Sequence, residues 1–134
     1  MPKAKPKLDW LPEAQASLNQ DRAFRKLGST DMKLALVIGE TARLVRFEAF
    51  EIAAVEDLDL TNLRDADLVL TMSAREWNAY LRKRRNGSGP TLLSLDLQGP
   101  QRLISAQSPL QRLMFERYNL SIQAFIDKGA ELAA

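Results

Sequence analysis

Residues 108–129 read SPLQRLMFERYNLSIQAFIDKG, and they carry a full set of helix signals. Ser108 is placed to cap, Pro109 fits the first helical position, and Gln111 stands in a capping-box relation to Ser108. Lys128 suits the last turn, and Gly129 suits the left-handed residue that ends a helix. At about 100° per residue, Leu110, Leu113, Met114, Phe115, Tyr118, Leu120, Ile122, Ala124, Phe125 and Ile126 cover roughly 240° of the circumference. Arg112, Glu116, Asn119, Gln123 and Asp127 share the narrow polar strip that is left. A surface helix needs an apolar stripe only a little wider than ~100°. This helix therefore calls for cover on two sides, either by a partner subunit or by a cavity for an apolar ligand that it roofs.

Upstream of that helix, period-two patterns dominate. In MKLALVI, Met32, Leu34, Leu36 and Ile38 alternate with Lys33, Ala35 and Val37, predicting a strand with one fully apolar face. Gly39-Glu40 turns the chain into RLVRFEA, where Val45, Phe47 and Ala49 alternate with Arg46 and Glu48. The phase slips at Ala49-Phe50, which predicts a bulge or turn before FEIAAV. EDLDLTNLRD reads as an acidic loop, and DLVLTM as a strand buried on its Leu68, Leu70 and Met72 side. Ser73 with Glu76 makes a capping box for a helix whose apolar face is Trp77, Tyr80 and Leu81. TLLSLDLQ alternates Leu93, Leu95 and Leu97 with Ser94, Asp96 and Gln98 and is expected as a strand. A turn at Gly99-Pro100 and a short strand, RLISA, lead into the terminal helix. Near the start, a helix is expected over 11–27, with Asp9 as cap and Trp10, Ala14, Leu18, Phe24 and Leu27 on its apolar side. Short links between strands favour an α+β fold, an antiparallel-rich sheet of five or six strands covered by helices.

Composition narrows the chemistry. The chain has 134 residues, enough for one domain with a real core, and neither cysteine nor histidine. Disulfides and thiol chemistry are excluded, and so are the commonest general base and the commonest metal ligand. The net charge of +2 owes three positives to Lys3, Lys5 and Lys7, which leaves 16 basic against 17 acidic residues elsewhere. Nucleic acid is therefore not expected as a partner. Residues 1–8 are expected to be a disordered basic tail, and 9–134 a single domain. There is no apolar run of about 18 residues and no secretory pattern, so a cytoplasmic location is expected.

Three features together resemble the sterol carrier protein type 2 family, as a single-domain bacterial member. Trp10 is followed by Leu18-Asn19-Gln20-Asp21 and Phe24; Asp67-Leu68-Val69-Leu70-Thr71-Met72-Ser73 leads to Trp77 and Leu81; and Leu103-Ile104-Ser105 leads into a long apolar C-terminal helix. The chain departs from the family at Ala106-Gln107, where Gly-Asp is common. The resemblance implies a hydrophobic tunnel between sheet and C-terminal helix, and non-catalytic binding or transfer of a lipid, sterol or fatty acyl-CoA without a cofactor. The ligand contacts expected on this footing are Phe47, Trp77, Tyr80, Leu81, Leu93, Leu97, Met114, Tyr118 and Phe125.

Three alternatives stand beside the carrier. The basic turn Arg82-Lys83-Arg84-Arg85 is either a solvated helix end or a contact for anionic headgroups through Arg82, Arg84 and Arg85, which would bring the protein to a membrane surface. Asp96 with Tyr80 or Tyr118 could serve an isomerase-like enzyme acting on a hydrophobic substrate, whereas Glu56, Asp57 and Asp59 read as a solvated acidic loop. A homodimeric interaction module would account for the two-sided helix equally well. Tyr118 distinguishes these readings, because leaving a buried hydroxyl unpaired costs about 1–3 kcal/mol. It must find a fixed core partner, or water and a ligand's polar end in a cavity; the cavity is the expectation adopted here.

Overall fold

The computed structural model describes residues 5–28, 31–98, 103–106 and 108–133. In chain order the elements are α1 (Leu11–Asn19), α2 (Arg22–Arg25), β1 (Met32–Ile38), β2 (Thr41–Glu48), β3 (Glu51–Asp57), a 3-10 turn (Leu60–Asp65), β4 (Leu68–Met72), α3 (Ala74–Arg85), α4 (Leu92–Gln98), β5 (Ile104–Ala106) and α5 (Pro109–Leu132). The fold is α+β. Its one described sheet has five strands in the order β3-β2-β1-β4-β5, and every pairing is antiparallel except β1 with β4.

The alternation in β1 determines what each face of the sheet does. Met32, Leu34, Leu36 and Ile38 are buried together with Val45, Phe47, Leu68, Leu70 and Met72, and the helices pack on that side. The opposite face carries a smaller cluster, Ala35, Leu44 and Ala66, shielded in part by Leu58 and Leu63 from the stretch around the 3-10 turn. Asp59 starts that turn by accepting hydrogen bonds from the Thr61 amide and hydroxyl. The predicted phase slip takes two forms. Ala49 turns the chain at φ 52°, and the β2–β3 register shifts between Arg46 and Phe47, whose partners Ala54 and Ile52 skip Ala53.

The structure departs from the sequence expectations in several elements. The helix expected over 11–27 breaks in two after Asn19. There Asn19 turns its amide to the edge strand, accepting from Ile52 N (2.8 Å) and donating to Ile52 O (3.0 Å). Asp21 then caps α2 by accepting from Ala23 N. Short polar side chains that bond to nearby or distant backbone commonly end a helix in this way. Asp9 does not cap α1; the cap position is Trp10, whose side chain makes no capping bond.

TLLSLDLQ is a helix rather than a strand. Thr91 Oγ1 accepts from Ser94 N and the Thr91 carbonyl accepts from Leu95 N, while Leu92 and Asp96, one turn apart, supply the buried face. Of the alternating leucines that suggested a strand, Leu95 falls on the opposite side of the helix from Leu93 and Leu97, and Leu97 is 60% exposed. The turn at Gly99-Pro100 lies outside the described residues.

Gly129 does not end the last helix, which continues to Leu132. A Cβ at Gly129 would lie 2.4–2.5 Å from the ring of Trp10, so the glycine is required by a close approach. Ser108 caps as expected by accepting from Gln111 N, and the Gln111 side chain reaches back to accept from the Ser108 hydroxyl (3.4 Å) while its amide nitrogen donates to Asp67.

From Lys5 onward, the basic start is tied down. Lys7 N donates to Asn78 Oδ1, Asn78 Nδ2 donates to Lys5 O, and Leu8 is buried. The Lys7 carbonyl accepts from both tryptophans, Trp10 Nε1 at 2.5 Å and Trp77 Nε1 at 3.0 Å.

Candidate functional site

The core around α5 is aromatic and closed. Phe125 meets Phe47 edge-on at 6.0 Å between centroids and Trp10 at 5.4 Å, and Trp10 stacks on Trp77 at 6.2 Å. Phe47, Trp77, Leu81 and Phe125, all expected as ligand contacts, are thus consumed in packing against protein. Leu93 is partly buried against the same core, and Leu97 points to solvent on α4. Two open apolar grooves lie outside this core.

The first groove, of about 580 Å³, is walled by the end of β4 (Thr71, Met72), by α3 (Glu76, Ala79, Tyr80, Lys83), by Pro90 with Leu95 of α4, and by Leu103. The β4–β5 ladder pairs Leu68–Leu70, Thr71 N donates to the Leu103 carbonyl, and Thr71 with Met72 forms part of the groove's wall. Tyr80 lies at the back, donating to the Pro90 carbonyl (2.8 Å) and accepting from Gln123 Nε2 (3.2 Å). Burial raises the phenol above its ordinary value, partly offset by the Gln123 hydrogen bond and by the Arg84 charge.

A polar network holds that wall in place. Gln123 Oε1 accepts from Leu92 N, at the start of α4, and Gln123 Nε2 also donates to Asp127. Asp127 in turn takes a two-pronged ion pair from Arg84 (2.8 and 2.7 Å), and Arg84 Nη1 donates to Gly89 O. Arg84 is therefore spoken for and is not a headgroup contact in this arrangement; the Asp127 hydrogen bond raises the pKa of its guanidinium. Arg82, Lys83 and Arg85 are exposed.

Asp96 is fully buried in a second polar cluster. It accepts from Ile104 N (2.8 Å) and from Arg112 Nη2, while Arg112 Nη1 donates to the Ile104 carbonyl and the guanidinium lies over the Phe115 ring. These bonds join α4, β5 and α5, and they engage the carboxylate that would have served an acid–base pair with Tyr80 or Tyr118. Glu56 and Asp57 sit on β3, ion-paired to Arg46 and Arg43. Among the described residues, no group of three or more acidic side chains could hold a metal ion.

The second groove, of about 680 Å³, runs along α5 itself past Leu110, Leu113, Met114, Glu116, Arg117 and Tyr118. Met114 and Tyr118, predicted for the site, are here, both half-buried. The Tyr118 hydroxyl makes no hydrogen bond to another described residue, so it has no fixed core partner there. Of the nine expected ligand contacts, the structure thus places Tyr80 in one groove, Met114 and Tyr118 in the other, and the remainder in neither. Met72, Ala79, Leu95 and Leu103 were not anticipated as lining residues. No motif marks them, because their role arises only where a strand end, two helices and a loop meet.

Comparisons with protein-family models, with curated proteins and with solved structures gave no match for this chain. Among the described residues no helix is long and apolar enough to cross a membrane.

Proposed function

We propose that the protein is a non-catalytic binder of a hydrophobic small molecule, a lipid, sterol or fatty acyl compound, held in the groove between β4, α3 and α4. What carries this reading is the shape and chemistry of that groove: apolar side chains from four segments around about 580 Å³, a size typical of small-molecule sites. Lys83 at its edge offers a cation to a carboxylate or phosphate head, and Tyr80 supplies a polar point at the back. The resemblance to sterol carrier proteins adds the ligand class and the role of transfer, and the absence of histidine and cysteine speaks for binding over chemistry. On this reading the protein works in the cytoplasm without a cofactor or nucleic acid.

Titration with a fluorescent fatty acid tests it. Saturable, stoichiometric uptake is expected, displaced by long-chain acyl compounds or sterols. Ala79→Phe, which fills the groove from α3 without touching the Arg84–Asp127–Gln123 network, should weaken uptake by about tenfold or more, in line with loss of a large apolar contact. Lys83→Gln should weaken carboxylates relative to the matching alcohols. A folded monomer that shows no saturable uptake would remove the carrier reading.

A further inference from the structure

The apolar arc of α5 does not end where the core ends. Leu110, Leu113 and Leu120 are 71%, 56% and 63% exposed, although the same helix buries Phe115, Ile122, Phe125 and Ile126. At about 100° per residue, Leu110, Leu113, Arg117 and Leu120 fall on one side. The second groove follows this stripe, and among the described residues only one helix, α5, lines it. An extended surface could cover it.

The charges beside the stripe say which kind of surface. Arg117 lies within it. Asp127 lies two turns beyond Leu120 on nearly the same side, and its charge is matched by the two-pronged bond from Arg84. That bond also fastens the last turn of α3, with exposed Arg82 and Arg85, to the end of the stripe. Glu116 is an acid on its flank. Further along, Glu131 is paired with Lys128 as Asp127 is with Arg84. The result is a row of exposed leucines with Arg117 inside it and a basic helix end fastened beyond it, the pattern of an element that lies in the plane of a membrane interface. A second copy docked by the same face is disfavoured, because a dyad at the middle of the stripe would set Arg117 on the apolar Leu113 of the other copy.

We infer that this face of α5 docks on an anionic lipid bilayer, with Leu110, Leu113 and Leu120 entering the headgroup boundary and Arg117, Arg82 and Arg85 on the lipid phosphates. Docking stands apart from the binding groove, so each can fail without the other.

Sedimentation with phosphatidylcholine vesicles, with and without phosphatidylglycerol, tests it at low and high salt. The protein should bind the anionic vesicles, and high salt should release most of it. Leu113→Ser with Leu120→Ser should weaken vesicle binding on the order of tenfold or more, since both leucines then lose their apolar transfer free energy. Because both positions are exposed, folding and fluorescent fatty-acid uptake should not change. Arg82→Gln with Arg85→Gln should lower anionic binding and flatten its salt dependence. No vesicle binding by the folded protein, or binding that none of these variants alters, would overturn the inference. So would a dimer in sedimentation velocity that the leucine variants dissociate, since the face would then belong to a second copy.

Discussion

A methyl group at position 129 would lie 2.4–2.5 Å from three ring carbons of Trp10. That ring has little room to retreat, being bonded through Nε1 to the Lys7 carbonyl and packed on Trp77 and Phe125. Alanine improves helix propensity by about 1 kcal/mol over glycine, whereas overpacking a tight core costs about 1–3 kcal/mol. Against so rigid a neighbour the second effect wins. Gly129→Ala should lower stability by about 1–2 kcal/mol in urea unfolding; a raised midpoint would show that the ring gives way. Tyr80 provides a pH test. Its folded-state pKa is raised above 10.0, chiefly by burial, so the protonated phenol favours the fold. That contribution is fully present below the unfolded value and is lost as pH rises through the folded one. Tyr80→Phe should cost about 1 kcal/mol at neutral pH through its lost hydrogen bonds. It should also make the stability decline above pH 10.0 shallower than in the parent. Parallel declines in the two proteins would remove Tyr80 as the group responsible.

At the scale of elements, the entry to the fold matters more than its charge suggests. One backbone carbonyl, that of Lys7, satisfies the indole N–H groups of both tryptophans and thereby links the segment before α1 to α3. Removing residues 1–7 deletes that acceptor and the bonds to Asn78. Leaving buried donors unmatched costs about 1–3 kcal/mol. The shortened protein should melt earlier, with tryptophan emission shifted to the red as water reaches the rings. Unchanged melting and emission would make this segment the dispensable tail that its lysines suggested. The same scale explains why α4 is a helix although its leucines alternate. Alternating leucines look identical in a strand and in a helix too short to show its period. The deciding bonds come from Thr91 and from Gln123, thirty-one residues after Leu92 in the chain.

For the whole molecule, local pattern was sufficient wherever a segment's own periodicity met a one-sided environment. Strands β1, β2 and β4, the capping box at Ser73 and the start of α5 at Ser108 were all legible, because alternation and capping are short-range physics. The excess apolar width of α5 was legible as well. What lies on each side of that helix was not. Only the assembled fold makes Phe125 a core ring and leaves Leu113 and Leu120 in solvent. The parallel pairing of β4 with β1 is likewise a long-range contact, made on the edge of β1 that β2 does not occupy. The sequence by itself determined an α+β chain with a two-sided terminal helix and no histidine or cysteine for catalysis. Tertiary structure alone decided that Asp96 is engaged by Arg112, that Arg84 is fixed by Asp127, and that an open apolar groove lies beside Tyr80. The physical reason is that burial and charge pairing depend on neighbours distant in the chain, which no local period encodes.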